Sequence, residues 1–248
     1  MKLALLSDIH ANVRALDACL AHAAAQGAVQ FALLGDLVGY GAEPGEVVKH
    51  AMVLAAQGAV VLRGNHDALA VDPPAVAATL EDSTAAWTHS QLDTTRRLFL
   101  AGLPLSHRSG SMLLVHASAD DPGAWHYVDN PHRAQASLAA AGEDVRHVFA
   151  GHVHHQRVFY RGAGRGLMVF EPTPGVPVPM PAHRQWLATT GSVGQPRDGN
   201  TGAMYAIWDD EAQALTFHRV PYDHLSAAAA IRAVGLPEYF ARRLEEGR

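Results

Sequence analysis

The stretch Leu3-Ala4-Leu5-Leu6-Ser7-Asp8-Ile9-His10-Ala11-Asn12 runs from four apolar residues into an acid, a histidine and a residue suited to cap a helix. The apolar run reads as a buried strand. Asn12 reads as the N-cap of a helix whose apolar positions Val13, Leu16 and Leu20 fall at i, i+3 and i+7. Outward from this stretch the same design recurs. Residues 29–34 form an apolar run that ends on Gly35-Asp36, and residues 59–62 lead through Arg63 into Gly64-Asn65-His66-Asp67. Residues 112–115 meet His116, and residues 145–150 meet Gly151-His152-Val153-His154. Between the early strands, residues 44–57 read as a helix with Gly58 as its stop signal. Strands alternating with helices predict an α/β chain with a parallel sheet. Ligands gather at the carboxyl edge of such a sheet. Five strand ends therefore bring Asp, Asn or His to one place.

Further along, residues 83–102 read as one longer helix opened by Ser83 and stopped by Gly102 and Pro104, and residues 131–142 as a shorter one. From residue 157 the pattern changes to strands over 157–161, 167–171, 186–190, 203–208 and 215–220, spaced for antiparallel hairpins. Residues 172–181 carry five prolines and read as an extended loop. From Asp223 two short helices follow, separated by Gly235-Leu236-Pro237. The expectation is two sheets packed together with helices outside. One domain would span 1–248, with its core at about 1–220 and a helical segment at about 223–248.

With 248 residues, 48% hydrophobic and 17% charged, the chain has the composition of a globular protein rather than of a disordered or fibrous one. Its size lets folding bury roughly 70–75% of the unfolded surface, so neither metal nor disulfide is required for folding alone. Lys+Arg 19 against Asp+Glu 24 gives a net charge of −5 without a long basic run, so no stable nucleic-acid complex is expected. The first residues are too short an apolar run for a signal peptide, and no stretch approaches the length of a membrane span. A cytoplasmic protein with no membrane partner is the expectation. Cys19 stands alone, mid-helix at the edge of the apolar stripe, and reads as a buried structural thiol.

The mixture of Asp, Asn and His has a chemical reason. Two divalent cations about 3.5–4 Å apart need a bridging carboxylate and a set of nitrogen and oxygen ligands around each. Asp36 is the natural bridge. In Asp8-x-His10 and His152-x-His154, extended backbone would aim residues i and i+2 the same way, so each pair would address one cavity. Gly35, Gly64 and Gly151 allow the backbone to turn tightly and approach closely beside these residues.

Asp8-x-His10, Gly35-Asp36, Gly64-Asn65-His66-Asp67, His116 and Gly151-His152-x-His154 resemble the five signature blocks of the calcineurin-like metallophosphoesterase superfamily, over about residues 1–210. The longer strings from Ser7 to Asn12, from Gly35 to Gly41 and from Gly191 to Gly199 resemble its compact bacterial and archaeal phosphodiesterase branch, which includes dinucleoside polyphosphate hydrolases. The resemblance implies a four-layer α/β/β/α sandwich of two mixed sheets with a binuclear metal site. Asp8, His10, Asp36 and His154 would hold one metal, and Asp36, Asn65, His116 and His152 the other. His66 would be the catalytic histidine that binds phosphate and protonates the leaving group, with Asp67 orienting it through its other ring nitrogen. A hydroxide bridging the metals would attack phosphorus. Manganese is the metal the resemblance implies, while the mixed donor shell also suits Fe, Zn, Ni or Co. The sequence departs from many relatives at Ala11, where they have Gly, and at Thr189-Thr190, where they have Asn-Pro.

The implied partner is a small phosphoester or nucleotide. Alternatives are a phosphomonoesterase or protein phosphatase, a dinucleoside polyphosphate hydrolase, and a non-catalytic scaffold, which would be expected to lose ligands that are all present here. Arg197 is a candidate for holding phosphate, against a structural pair with Asp198, and Tyr40 for stacking on a base, against packing under its loop. His155 is expected to face away from His152 and His154. His22, His50, His89, His183 and His224 read as exposed or satisfied side chains, and Trp87, Trp125 and Trp186 as packing. Arg242, Arg243, Glu245 and Glu246 read as a solvated helix face.

Overall fold

A computed structural model describes residues 1–162 and 166–248. The chain runs through β1 (Lys2–Leu6), α1 (Val13–Ala25), β2 (Gln30–Leu33), α2 (Pro44–Ala56), β3 (Val60–Val61), α3 (Asn65–Val71), α4 (Leu80–Gln91), α5 (Thr94–Ala101), β4 (Ser106–Ser109) and β5 (Met112–Val115). It continues through α6 (Pro131–Ala141), β6 (His147–Ala150), β7 (Gln156–Arg161), β8 (Leu167–Phe170), β9 (Pro177–Pro179), β10 (Trp186–Thr190), β11 (Ala203–Asp209) and β12 (Ala214–Val220). Helices α7 (His224–Ala233) and α8 (Glu238–Glu246) close it. Two six-stranded sheets result, one ordered β3-β2-β1-β11-β12-β9 and the other β4-β5-β6-β10-β7-β8. Both are mixed. β1, β2 and β3 run parallel while β11 joins β1 antiparallel, and β5, β6 and β10 run parallel while β7 joins β10 antiparallel.

Alternation along β1 explains the layers. Leu3 and Leu5 point between the sheets, where they meet Phe149, Val158, Ala188, Trp208 and Phe217. Ala4 and Leu6 point the other way, onto Leu16, Cys19, Val47 and Val48 of α1 and α2. A strand covered on both faces reads as an unbroken apolar run, as this one does. On the outer face of the second sheet, Val148, Ala150 and Leu187 pack against Ala134 and Leu138 of α6. Helices, sheet, sheet and helix make the expected four layers. Among the described residues no helix is long and apolar enough to cross a membrane.

The structure corrects three local expectations. Residues 83–102 form two helices, not one. Leu92 is extended, and Asp93 accepts a hydrogen bond from Arg96 N at 2.8 Å as the N-cap of α5. The preceding helix begins earlier than Ser83, at Leu80, where Thr79 and Asp82 form a capping box. Within the proline-rich 172–181, Pro177–Pro179 pairs with β12 as an edge strand, the one place where residues lacking an N–H fit a sheet. Strand β4 had no apolar signal because all four of its residues are exposed at the edge of the second sheet.

Candidate metal centre

The ends of β1, β2 and β6 turn sharply into the site, and their turns are not extended. Asp8, His10, Asp36, His152 and His154 all have left-handed backbone, with φ of 54°, 50°, 52°, 66° and 60°. The expected alternation of Asp8-x-His10 and His152-x-His154 is therefore wrong in mechanism. The pairs do reach one cavity, but consecutive tight turns, rather than strand pleat, aim them there. Glycine is required beside them for steric reasons. A Cβ on Gly35 would stand 2.8 Å from His116 Nδ1 and 2.7 Å from Gly64 N, and one on Gly151 would collide with Ser7 and Asp8.

Backbone carbonyls orient three of the histidines. His10 Nδ1 faces Val38 O at 3.2 Å, His116 Nδ1 faces Leu34 O at 2.9 Å, and His154 Nδ1 faces Gln195 O at 2.7 Å. A carbonyl only accepts, so each Nδ1 carries the proton and donates it, and each Nε2 is turned inward. The outer carboxylate oxygens are likewise occupied: Asp8 Oδ2 accepts from His152 N at 2.8 Å, and Asp36 Oδ1 from His66 N at 2.9 Å. Asp8 Oδ1 and Asp36 Oδ2 remain for the cavity.

The inward atoms form two overlapping groups. In the first, His10 Nε2 and His154 Nε2 lie 3.1 Å apart, and Asp8 Oδ1 is 3.1 Å from His154 Nε2. Burial pushes both rings toward the neutral form, His154 adding to the effect at His10. Two neutral rings carry two protons, and both are already donated to carbonyls. Three lone pairs thus face one another with no hydrogen among them, and Asp8 Oδ1 is buried without a partner. Converging nitrogen and oxygen donors of this kind are the set a divalent cation takes. The second group joins Asp8, Asp36, His116 and His152: His116 Nε2 stands 3.4 Å from Asp36 Oδ2, 3.2 Å from His152 Nδ1 and 3.2 Å from Asn65 Oδ1. Burial opposes charge on His116, but Asp36, joined by Asp8 and Asp67, outweighs it and raises the ring to about 9, while burial and then His116 lower His152 to about 4. Burial alone would raise the two carboxyls. Whatever positive charge the facing rings take up, on His154 foremost for Asp8 and on His116 for Asp36, holds both below the ordinary carboxylate range. Asp36 Oδ2 is also 3.9 Å from His10 Nε2, so it faces both groups, and Asp8 belongs to both as well. All seven residues expected as ligands meet here, and their chemistry fits divalent metal.

His66 lies against this cluster. Its ring centroid is 5.1 Å from that of His10 and 4.4 Å from that of Tyr40, and it groups with His10 and Asp36. Asp67 does not orient it. Asp67 Oδ1 accepts from Leu37 N and Val38 N at 2.9 and 3.2 Å, and Oδ2 accepts from Gly64 N at 2.9 Å. In the first turn of α3 its carboxylate folds back on the preceding backbone, and so it ties the Asp36 loop to the Gly64 turn. Burial and the charge of Asp36 push it up to about 7. The Asp67→Ala variant, which leaves three buried N–H groups unpaired, is expected to lose about 3 kcal/mol of stability, read as a lowered Tm of the metal-free protein.

Tyr40 is not free to take a base. It is 4% exposed, stacks on Phe240 at 4.9 Å with a 28° interplanar angle, and donates its hydroxyl proton to Glu81 at 2.6 Å. Packing under its loop is its role. Arg197 does not pair with Asp198, which bonds Arg219 instead; its Nη2 donates to Gln195 Oε1 at 2.9 Å. His155 Nδ1 turns to Val153 O, and His22, His50 and His89 are satisfied by Tyr205, Glu46 O and Ala70 O. Cys19 is buried, and burial pushes its thiol far above the usual range.

Two residues at the site were not foreseen. Tyr127 stacks on His152 at 4.0 Å with a 23° interplanar angle while remaining 54% exposed. Nothing in its sequence surroundings marks it. Arg243, expected on a solvated face, turns inward to Gln195 Oε1 at 3.0 Å. Its place three residues after the buried Phe240 and one before the buried Leu244 was the available signal, since i and i+3 share a helix face.

Residues 1–213 match the calcineurin-like phosphoesterase superfamily domain. An uncharacterized protein of Methanocaldococcus jannaschii is 30% identical over 256 residues, spanning 99% of this chain and 98% of that one. Among solved structures, a metallophosphoesterase from Sphaerobacter thermophilus superposes with a TM-score of 0.88 and 32% identity over 100% of both chains. A hypothetical protein from Pyrococcus horikoshii superposes at 0.78, covering 100% of this chain and 98% of that one; at 19% identity it speaks for the fold alone.

Proposed function

We propose, from the premise that the chain belongs to the calcineurin-like phosphoesterase superfamily, that it is a binuclear metal-dependent phosphodiesterase acting on small phosphodiesters or nucleotides. The observation that carries this reading is the pair of Nε2 atoms of His10 and His154, 3.1 Å apart and facing Asp8 Oδ1, with each ring's Nδ1 turned to a carbonyl. Such a buried donor set is stable around a cation, and a second set, Asp36, Asn65, His116 and His152, lies beside it. Divalent metal held there would supply a water of lowered pKa as nucleophile and would offset charge on the phosphoryl oxygens. The protein's own side chains do the rest. Asp36 Oδ2, facing both groups, holds them together. His66, beside both His10 and Asp36, gives a proton to the departing ester oxygen. No side-chain nucleophile is needed, in keeping with the burial of Cys19. Tyr127, stacked on His152 with much of its ring exposed, offers an aromatic face to a nucleotide base, which favours a nucleotide over a phosphoprotein surface. Manganese is the metal we favour.

Initial rates of hydrolysis of bis-p-nitrophenyl phosphate and p-nitrophenyl phosphate test the reading, on metal-stripped protein resupplied with Mn, Ni, Zn or Mg. The diester is expected to turn over faster, and only with metal. Monoester preference would replace the diesterase reading with a phosphatase. Silence toward both with every metal would overturn it.

A further inference from the structure

Two guanidinium groups share one neutral oxygen beside the metal centre. Arg197 Nη2 and Arg243 Nη1 donate to Gln195 Oε1 at 2.9 and 3.0 Å. Like charges so close need a counter-charge, and among the described residues neither arginine enters an ion pair. The nearby carboxylates are engaged elsewhere: Asp198 with Arg219, Glu245 with Arg232, and Glu246 with Arg248. Arg197 Nε is buried without an acceptor. Apart from Gln195, the pair meets aromatic faces, with Arg197 Cζ 5.8 Å from the Tyr40 ring centroid and Arg243 Cζ 4.6 Å from that of Tyr239. After burial, Arg197 is the main influence holding Arg243 below its ordinary pKa.

Their position is equally specific. The Tyr40 ring that Arg197 covers lies 4.6 Å from the His10 ring and 4.4 Å from the His66 ring, so the guanidinium is one ring away from the reacting centre. Gln195 fixes both ends of this arrangement, since its carbonyl accepts from His154 Nδ1 while its side chain holds the arginines. Arg243 comes from α8, beyond residues 1–213 that match the family domain. Gln195 is 1% exposed, which makes it a rigid pin.

We propose that Arg197 and Arg243 form an anion subsite for a second phosphoryl group, selecting phosphoesters that carry one beside the reacting phosphorus. Two forked guanidinium groups match the oxygens of such a group, and its negative charge offsets the two positive charges that no carboxylate pairs among the described residues. The inference rests on the phosphoesterase reading for where the reacting phosphoryl group lies, and it deepens that reading by naming a substrate class.

Calorimetric titration of the manganese-loaded protein with AMP and with the α,β-methylene analogue of ADP, at fixed free manganese, tests it without turnover. The wild type should bind the diphosphonate more tightly than AMP, by roughly tenfold to a hundredfold as expected for hydrogen bonds to charged groups. Arg243→Gln and Arg197→Gln should each remove most of that preference, and Arg243→Lys should restore part of it. Two variants guard against one that fails to fold. Equal affinity of the wild type for both ligands would overturn the proposal, as would a preference that survives both substitutions. Equal weakening of both ligands would also overturn it, because the arginines would then grip the reacting phosphate. Wild-type hydrolysis of bis-p-nitrophenyl phosphate, measured in parallel, tests the phosphoesterase reading separately.

Discussion

The His66→Asn variant is expected to retain its metal and lose turnover by about 10²–10⁴-fold, the range that a positioned general acid contributes. The substitution spares the scaffold. The backbone N–H of residue 66, which donates to Asp36 Oδ1 at 2.9 Å, is kept, so the carboxylate facing both donor groups stays oriented. What disappears is the imidazole packed between Tyr40 and His10. Elemental analysis for metal and initial rates with bis-p-nitrophenyl phosphate are the two readings. Undiminished turnover would remove His66 from the mechanism, whereas loss of metal together with activity would make it a ligand.

Asp36→Asn should fail in the opposite way, through the metals. The amide is nearly isosteric and can still accept from His66 N, but it places a neutral NH₂ where Oδ2 now stands 3.4 Å from His116 Nε2 and 3.9 Å from His10 Nε2. On the proposed binuclear reading, losing the shared charge should lower the metal content from two ions per chain to one or none. Metal stabilisation of transition-state charge is worth several kcal/mol, so turnover should fall roughly a thousandfold. Full metal occupancy in this variant would rule out Asp36 as the bridge and leave Asp8, which also belongs to both groups, in that role.

Much of the fold and the site was legible in the chain because apolar runs and polar punctuation coincide. Leu3 to Leu6, followed at once by Asp8 and His10, announced both a strand covered on two faces and the edge where chemistry would collect. The features that escaped did so for physical reasons. Asp93 broke a helical stretch by capping a second helix, which apolar periodicity does not register. Ser106–Ser109 became a strand through its partner Met112–Val115, with no apolar face of its own. Asp67 stood next to His66 in sequence, yet its place in the first turn of α3 turned its oxygens to Gly64, Leu37 and Val38. Arg243 lies far beyond Arg197 in the chain and meets it only because Phe240 and Leu244 dock α8 beside Tyr40. Contacts of that separation leave no local trace.

The left-handed corners at Asp8, His10, Asp36, His152 and His154 bear on how relatives of this chain can be compared. Apart from glycine, the residues that tolerate such corners best are Asn, Asp and His, and these are also the oxygen and nitrogen donors a divalent metal takes. Shape and chemistry therefore draw on one small alphabet at these five places. A descendant that abandoned hydrolysis but kept the fold would still be steered toward the same letters there. Asn65 and His116 have ordinary backbone and no such second constraint, so a change at either would be the earlier and cleaner record of a chain that had given up its metals.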